Sequence, residues 1–202
     1  MQTYALGILL VVLAYVAGSV PFGFLLAQTK GIDIRTRGSG NIGATNLTRT
    51  LGRKWGIACF FLDFAKGLAP VTATVILNES PVVPVAAAGA AVAGHVWPVF
   101  LRFKGGKGMA TSIGALLALA PWSVVMAVLL WIILFLLTGY VSLASLGAAV
   151  ILPLSALVVS MNPVTVILLT VIALLIIGRH RSNIVRLWRG EEHRFSRNRE
   201  HT

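Results

Sequence analysis

The sequence predicts an all-α, polytopic membrane helix bundle of seven transmembrane elements, with the N-terminus outside and the C-terminus cytoplasmic. Three observations carry this. Hydrophobic residues make up 57% of the chain and charged residues only 11%, at a mean hydropathy of +0.87. A water-soluble domain carries roughly a quarter of its residues charged, so the solvent for most of this chain is lipid. Apolar runs near span length recur along the chain, bounded by charges and Pro/Gly breaks. The basic residues are also clustered. Of 17 Lys and Arg, six lie between Lys30 and Lys54, three between Arg102 and Lys107, and seven between Arg179 and Arg199, with only Lys66 elsewhere. Such clustering marks one face of a bilayer.

The apolar runs fall at about 4–27, 55–77, 82–101, 109–120, 121–138, 140–160 and 163–178. The first lacks a basic leader region and is as long as a span, so it reads as a helix rather than a signal peptide. Its uncharged start, followed by Lys30, Arg35 and Arg37, orients it with the N-terminus outside. The stretch Met109–Leu137 admits one long helix or two elements broken at Ala120-Pro121-Trp122. One element would put the basic tail outside with the N-terminus; two bring all three basic clusters inside, with the acidic turn Asn78-Glu79-Ser80-Pro81 outside. At about 1.5 Å per residue the 109–120 element is short enough to be re-entrant. After the last run, Ile184, Leu187 and Trp188 share a face of an interfacial amphipathic turn, and fraying is expected from about Arg194. The 202 residues have room for about six to eight spans and no soluble domain beside them, so 1–202 is one expected domain.

The net charge of +11 is compatible with anionic lipid headgroups and anionic substrates. No soluble reading module accompanies it, which argues against nucleic acid. One cysteine, Cys59, excludes a disulfide framework and a thiolate metal site. Its apolar surroundings suit a small buried hydrophobe.

Three segments carry chemistry. The first, Arg35 to Asn46, places Gly38, Gly40 and Gly43 at dinucleotide-loop spacing, but no βαβ unit surrounds them. It also has P-loop spacing with Ala44 in the lysine position, which argues against nucleotide hydrolysis. Glycines still let successive backbone N–H groups face one anion, and Ser39, Asn41, Thr45, Asn46 and Arg49 surround them. The second, Gly94 to Thr111, contains Lys104-Gly105-Gly106-Lys107-Gly108 before an apolar run. The glycines there predict a helix N-terminus whose N–H groups meet an anion, with Lys104 and Lys107 as point charges. Lys104 is equally an inside-face anchor. His95, about seven residues inside the third span, is either a buried hydrogen-bonded residue or an active-site group.

The third segment runs from His180 to Glu192. His180 and Asn183 share a helical face, and Arg186, Gly190 and Glu191 follow. Asp63 and Lys66 form an i, i+3 pair inside the second span, either as a simple ion pair or as support for the phosphate site.

These three segments, in this order and spacing, resemble the three motifs of the bacterial acyl-phosphate-dependent glycerol-3-phosphate acyltransferases. The resemblance extends over about the whole chain. It implies an integral enzyme of the bacterial cell (inner) membrane with a cytoplasmic active site. Such an enzyme moves a fatty acyl group from acyl phosphate to the sn-1 hydroxyl of glycerol 3-phosphate. The products are 1-acyl-glycerol 3-phosphate (lysophosphatidic acid) and phosphate, in the first acylation of phospholipid synthesis. By position, Ser39, Arg49, Lys107 and Asn183 correspond to ligands of glycerol 3-phosphate and the phosphoryl group, with His180 close by. Ser39, His180 and Asn183 are then the catalytic candidates. Gly38, Gly40, Asn41, Thr45, Asn46, Lys104, Gly106 and Gly108 complete the substrate loops, and Asp63, Lys66, His95 and Glu191 support them. No metal, cofactor or obligate protein partner is expected; the partners are the two substrates and membrane lipid.

Two enzyme alternatives lack their residues. No histidine is followed five residues later by aspartate, and Asp63 alone cannot build a carboxylate metal site. A transporter or exchanger of a phosphorylated metabolite is the non-enzymatic alternative. It calls for inverted repeats and polar groups near the midplane, whereas the polar groups here crowd one end.

Overall fold

A computed structural model describes residues 2–78, 80–159 and 161–195. Glu79, the acid of the expected outside turn, and the tail beyond Phe195 fall outside the described residues. Every regular element described is helical. Backbone contacts divide the chain into two compact units, Met1–Pro121 and Trp122–Thr202.

The first unit contains α1 (Gln2–Ser19), α2 (Phe22–Gln28), α3 (Ala44–Leu51), α4 (Arg53–Leu77), α5 (Val82–Val96) and α6 (Met109–Leu117). Pro21 divides the first apolar run, because its ring cannot continue a helix. At that break the Val20 carbonyl accepts a hydrogen bond from Lys66 Nζ at 2.7 Å. Small residues bring the helices close. A Cβ on Gly18 would strike the Ala91 carbonyl, and one on Gly67 the Thr111 carbonyl, so α1–α5 and α4–α6 pack backbone to backbone. Without a hydrophobic drive between helices in lipid, such close approach supplies much of the association energy. At one end, Ala27, Ile34, Ile42, Leu47, Cys59 and Leu101 form a buried apolar cluster. It anchors the loop after α2 and the loop after α5 on a shared base.

The second unit contains α7 (Pro121–Thr138), α8 (Val141–Val158), α9 (Pro163–Arg179) and α10 (Arg181–Trp188). Trp131 Nε1 donates to Ser145 Oγ at 3.2 Å, linking α7 to α8. Asn162 caps α9 by accepting from the Thr165 N–H at 2.9 Å, and Pro163 occupies the first turn, where its missing N–H costs nothing. α9 and α10 meet at a 56° bend. Large apolar side chains such as Leu137, Leu174 and Trp188 face outward, as a lipid-embedded surface requires.

Among the described residues five segments are long and apolar enough to cross a membrane: Tyr4–Gln28, Arg53–Leu77, Val82–Leu101, Pro121–Thr138 and Val141–Val158. The bent α9–α10 pair makes a sixth. Met109–Leu137 is two helices, with a turn ending α6 at Leu117 before Pro121 opens α7. With nine residues, α6 is about 14 Å long, well short of a hydrocarbon core of roughly 30 Å.

The tail differs from expectation at Arg194 and Phe195, which are tied down rather than frayed. Arg194 Nε donates to the Thr138 carbonyl at 3.0 Å, and the Phe195 N–H donates to the Gly139 carbonyl at 2.9 Å. The left-handed turn at Gly139, φ 73°, supports this contact at the end of α7.

Candidate active site

In the first unit, Arg35 to Asn46 forms a compact loop closed around one buried side chain. Asn46 is 2% exposed. Its Nδ2 donates to the carbonyls of Asn41 at 2.9 Å and Arg37 at 3.0 Å, while its Oδ1 accepts from the Ser39 N–H at 2.9 Å. Asn46, expected among the substrate ligands, thus spends its amide on the loop. Asn41 likewise accepts from the Gly43 N–H at 2.8 Å, turning the chain into α3. Gly38 and Gly40 both have left-handed backbone, φ 56° and 69°. A Cβ on Gly38 would strike the Asn46 amide, so glycine here serves both the turn and the brace.

This bracing leaves Ser39 exposed at the crest of the loop, with Thr45 and Arg49 half-buried on α3. Arg49 is one turn beyond Thr45 and shares its face. Arg35 is committed elsewhere: it ion-pairs with Asp33 at 2.6 Å and lies over the Phe24 ring at 4.7 Å.

The second loop doubles back on the helix it leaves. α5 ends at Val96, which puts His95 in its last turn, six residues before the end of the apolar segment Val82–Leu101. The chain reverses through Arg102 and Phe103, two non-glycine residues in left-handed conformation (φ 50° and 61°), each costing about 1–3 kcal/mol. The reversal brings the Gly105 N–H to the Val96 carbonyl at 3.2 Å and the Gly106 N–H to the His95 carbonyl at 3.1 Å. These two amides were expected to meet an anion; they satisfy the open end of α5 instead. Gly106 is buried, and a Cβ there would strike His95 Nε2. Its smallness admits the imidazole.

Helix α6 begins only at Met109, after Gly108 with φ 87°. Lys107 is half-buried beside that helix start, whereas Lys104 is exposed. Two hydroxyls that sequence reading passed over, Thr111 and Ser112, lie in the first turn at 0% and 1% exposure. Beneath both loops, Asp63 ion-pairs with Lys66 at 2.7 Å, with both side chains 4% exposed, and approaches His95 Nδ1 at 3.7 Å.

In the second unit, His180 occupies the α9–α10 bend and is buried. Its Nδ1 lies 2.8 Å from the Ile176 carbonyl. A carbonyl only accepts, so Nδ1 carries the proton and Nε2 is the basic nitrogen of the neutral ring. Asn183, also buried, donates to Glu192 Oε1 at 2.9 Å, and Arg186 Nε donates to Glu192 Oε2 at 2.7 Å.

Glu191, the carboxylate expected in support, is exposed; the buried one is Glu192. The adjacent Glu-Glu pair marked the place, but the left-handed turn at Gly190, φ 71°, decides which acid points inward. Burial pushes the Glu192 carboxyl up, while hydrogen bonds from Arg186 and Asn183 outweigh it and leave it below its ordinary value.

Fold and site together define the class: a helical integral membrane protein in which one unit carries two braced glycine loops around an intramembrane ion cluster. Comparison with known families matches residues 8–190 to the family described as glycerol-3-phosphate acyltransferase. Relatives of that name from Geobacter sulfurreducens and Aquifex aeolicus are each 47% identical over 188 residues. These matches cover 93% and 92% of this chain and 97% of each relative. Crystal structures of PlsY, an integral membrane glycerol 3-phosphate acyltransferase, are similar throughout. The glycerol 3-phosphate form gives a TM-score of 0.90 and the lysophosphatidic acid form 0.87. Both are 44% identical, covering 94% of this chain and 96% and 95% of those chains. This chain belongs to the glycerol-3-phosphate acyltransferase family.

The lowered carboxyl of Glu192 makes a pH-dependent contribution to stability. It is complete above the ordinary value near 4.5 and is lost as pH falls through the lower folded value. Taking detergent-solubilised protein from about pH 6 to about pH 4 should therefore lower the wild-type melting temperature more than that of Glu192→Gln. Parallel melting curves for the two proteins would remove Glu192 as the structural acid.

Proposed function

We propose that this chain transfers a fatty acyl group from acyl phosphate to the sn-1 hydroxyl of glycerol 3-phosphate, releasing 1-acyl-glycerol 3-phosphate and inorganic phosphate. The family match carries the reading: it spans residues 8–190 and so includes the first two polar segments and the third as far as Gly190. It also crosses Pro121, which supports treating 1–202 as a single acyltransferase domain. The acyl phosphate donor suits the chain chemically, since both substrates then present a phosphate and one brings a hydrocarbon tail that lipid-facing helices accommodate.

Within the first unit, Arg49 and Lys107 are the proposed phosphate cations, and Ser39, at the crest of its loop, is a hydrogen-bond donor. Gly38, Gly40 and Asn41 shape that loop, Thr45 lines it, and Asn46 holds it closed. Gly106 and Gly108 shape the second loop, and Lys104 is an outer charge. The third motif adds His180 and Asn183 on sequence grounds, with His180 or a substrate phosphate oxygen taking the hydroxyl proton. In the reaction the hydroxyl oxygen attacks the acyl carbon and forms the ester. The bond from that carbon to the phosphate oxygen breaks, and phosphate leaves with the electron pair.

Acyl phosphate is a mixed anhydride with a good leaving group, so an enzymic nucleophile has little barrier left to remove. Positioning and charge stabilisation supply most of the rate. The transfer is therefore a single displacement, with Ser39 never acylated.

The chain is proposed to sit in a bacterial inner membrane as seven elements, with α6 re-entrant or short. The N-terminus is outside and the three basic clusters, with the site, are cytoplasmic. Support comes from the distribution of Lys and Arg.

Lys107→Ala and Arg49→Ala each remove a charge-assisted contact worth about 1.5–3 kcal/mol. With detergent-purified protein, long-chain acyl phosphate and labelled glycerol 3-phosphate, kcat/KM should fall roughly 10- to 150-fold at unchanged melting temperature. Wild-type kinetics in both variants would dismantle the site. A wild-type protein that fails to turn over in detergent would instead return the reading to a transporter, which needs a membrane to cross. Intact-protein mass after exposure to acyl phosphate alone should show no adduct. A stoichiometric acyl group on Ser39, discharged by glycerol 3-phosphate, would replace single displacement by a two-step route. Single cysteines at Pro81 and Glu191 in a Cys59→Ala background should label from opposite sides of the membrane, and labelling from one side would reverse the orientation of one terminus.

A further inference from the structure

One carboxylate inside the membrane-spanning part of the first unit lies against three side chains whose residues each reach a glycine loop or the break before α2. Asp63 lies ten residues into α4, about 15 Å from its start. Its Oδ1 holds Lys66 Nζ at 2.7 Å and faces His95 Nδ1 at 3.7 Å. Its Oδ2 receives the Cys59 thiol at 3.5 Å. Each of these three groups reaches onward to a different backbone segment. Cys59 Sγ lies 3.9 Å from the Ile42 carbonyl in the first glycine loop. The His95 carbonyl accepts from the Gly106 N–H at 3.1 Å, and the imidazole fills the space that a Cβ on Gly106 would occupy. Lys66 donates to the Val20 carbonyl at the break before α2. That helix abuts the first loop at Gly23, where a Cβ would strike the Ile42 carbonyl.

Stability alone does not explain this cluster. A buried ion pair is on balance no more stable than well-packed apolar side chains of the same volume, and ionisable groups within a span mark function more often than packing. An apolar replacement would fill the space, yet it would remove the charge that holds Lys66 and faces His95.

We propose that Asp63 is a positioning residue for the acyl transfer, setting the spacing between the Ser39–Arg49 loop and the Gly106–Lys107 loop through Lys66, His95 and Cys59. This rests on the assignment of those loops to the substrate phosphates. Asp63 touches neither substrate; it acts through the backbone segments its neighbours hold.

The test removes both charges together. Asp63→Asn/Lys66→Met leaves no unpaired ion, so a role limited to ion pairing predicts wild-type KM values at near wild-type melting temperature. Positioning predicts recovered melting temperature with KM for glycerol 3-phosphate raised roughly 10-fold or more, since misplacement by about 1 Å can cost roughly 100-fold. KM is independent of the active fraction, so partial unfolding does not obscure it. If turnover is undetectable, the rise in melting temperature produced by glycerol 3-phosphate is read instead: its loss supports positioning and its retention overturns it. If the double variant does not fold, His95→Gln takes its place. It leaves the Asp63–Lys66 pair whole, and the same two outcomes apply. Lys107→Ala separates the two levels of inference. Wild-type KM there means the loops do not hold phosphate, whereas a raised KM there with unchanged KM in the double variant defeats Asp63 alone.

Discussion

Backbone amides and carbonyls near the hydrocarbon region must find partners inside the protein, because lipid offers none. The phosphate-binding role proposed for the two loops pulls the other way, since it needs irregular chain and accessible donors. Here the conflict is met by making each loop complete itself. Asn46 gathers the Arg37 and Asn41 carbonyls and the Ser39 amide onto one side chain. The second loop gives the Gly105 and Gly106 amides to the last carbonyls of α5. The irregular backbone thereby survives at the end of a helical bundle, and the charged tips of Arg49 and Lys107 are carried on a rigid frame.

This constraint also explains where sequence reading succeeded and where it did not. Hydropathy and the break at Pro121 made the helices legible, because lipid allows few alternatives to a long apolar helix, whereas Pro21 and Pro98 divide the runs 4–27 and 82–101 that hydropathy reads as continuous. Glycine spacing located the two loops correctly. It could not separate an amide that shapes a loop from one that faces a ligand: Asn46 and Gly106 look like donors in sequence, and their partners lie five to eleven residues away. The helix end beside His95 escaped hydropathy for a related reason. Hydropathy runs on to Leu101, but the helix stops at Val96 because Pro98 and the two left-handed residues turn the chain back. Choosing between Glu191 and Glu192 needed the sense of one glycine turn, which no periodicity encodes.

The glycines divide into two kinds by what they exclude. Gly18 and Gly67 sit at helix crossings, where a side chain would hold two backbones apart. Gly38 and Gly106 lie against the side chains of Asn46 and His95, so each glycine is the empty half of a pair. The first kind sets how closely the helices pack and the second how each loop closes. A substitution of the second kind meets a side chain of its own loop, Asn46 or His95, rather than the backbone of a neighbouring helix.

The same distinction bears on why the chain keeps Asp63, Lys66 and His95 inside the membrane. If stability were the sole demand, three apolar side chains would serve as well at lower desolvation cost. The cluster lies against segments far apart in sequence: Lys66 donates to the Val20 carbonyl, and the Cys59 sulfur lies 3.9 Å from the Ile42 carbonyl. The proposed single displacement on an acyl phosphate would rely on the placement of two phosphate-bearing substrates rather than on a reactive side chain. Under that proposal the precision of the frame takes the place of a strong nucleophile, which is the role proposed for the buried ion cluster under the loops.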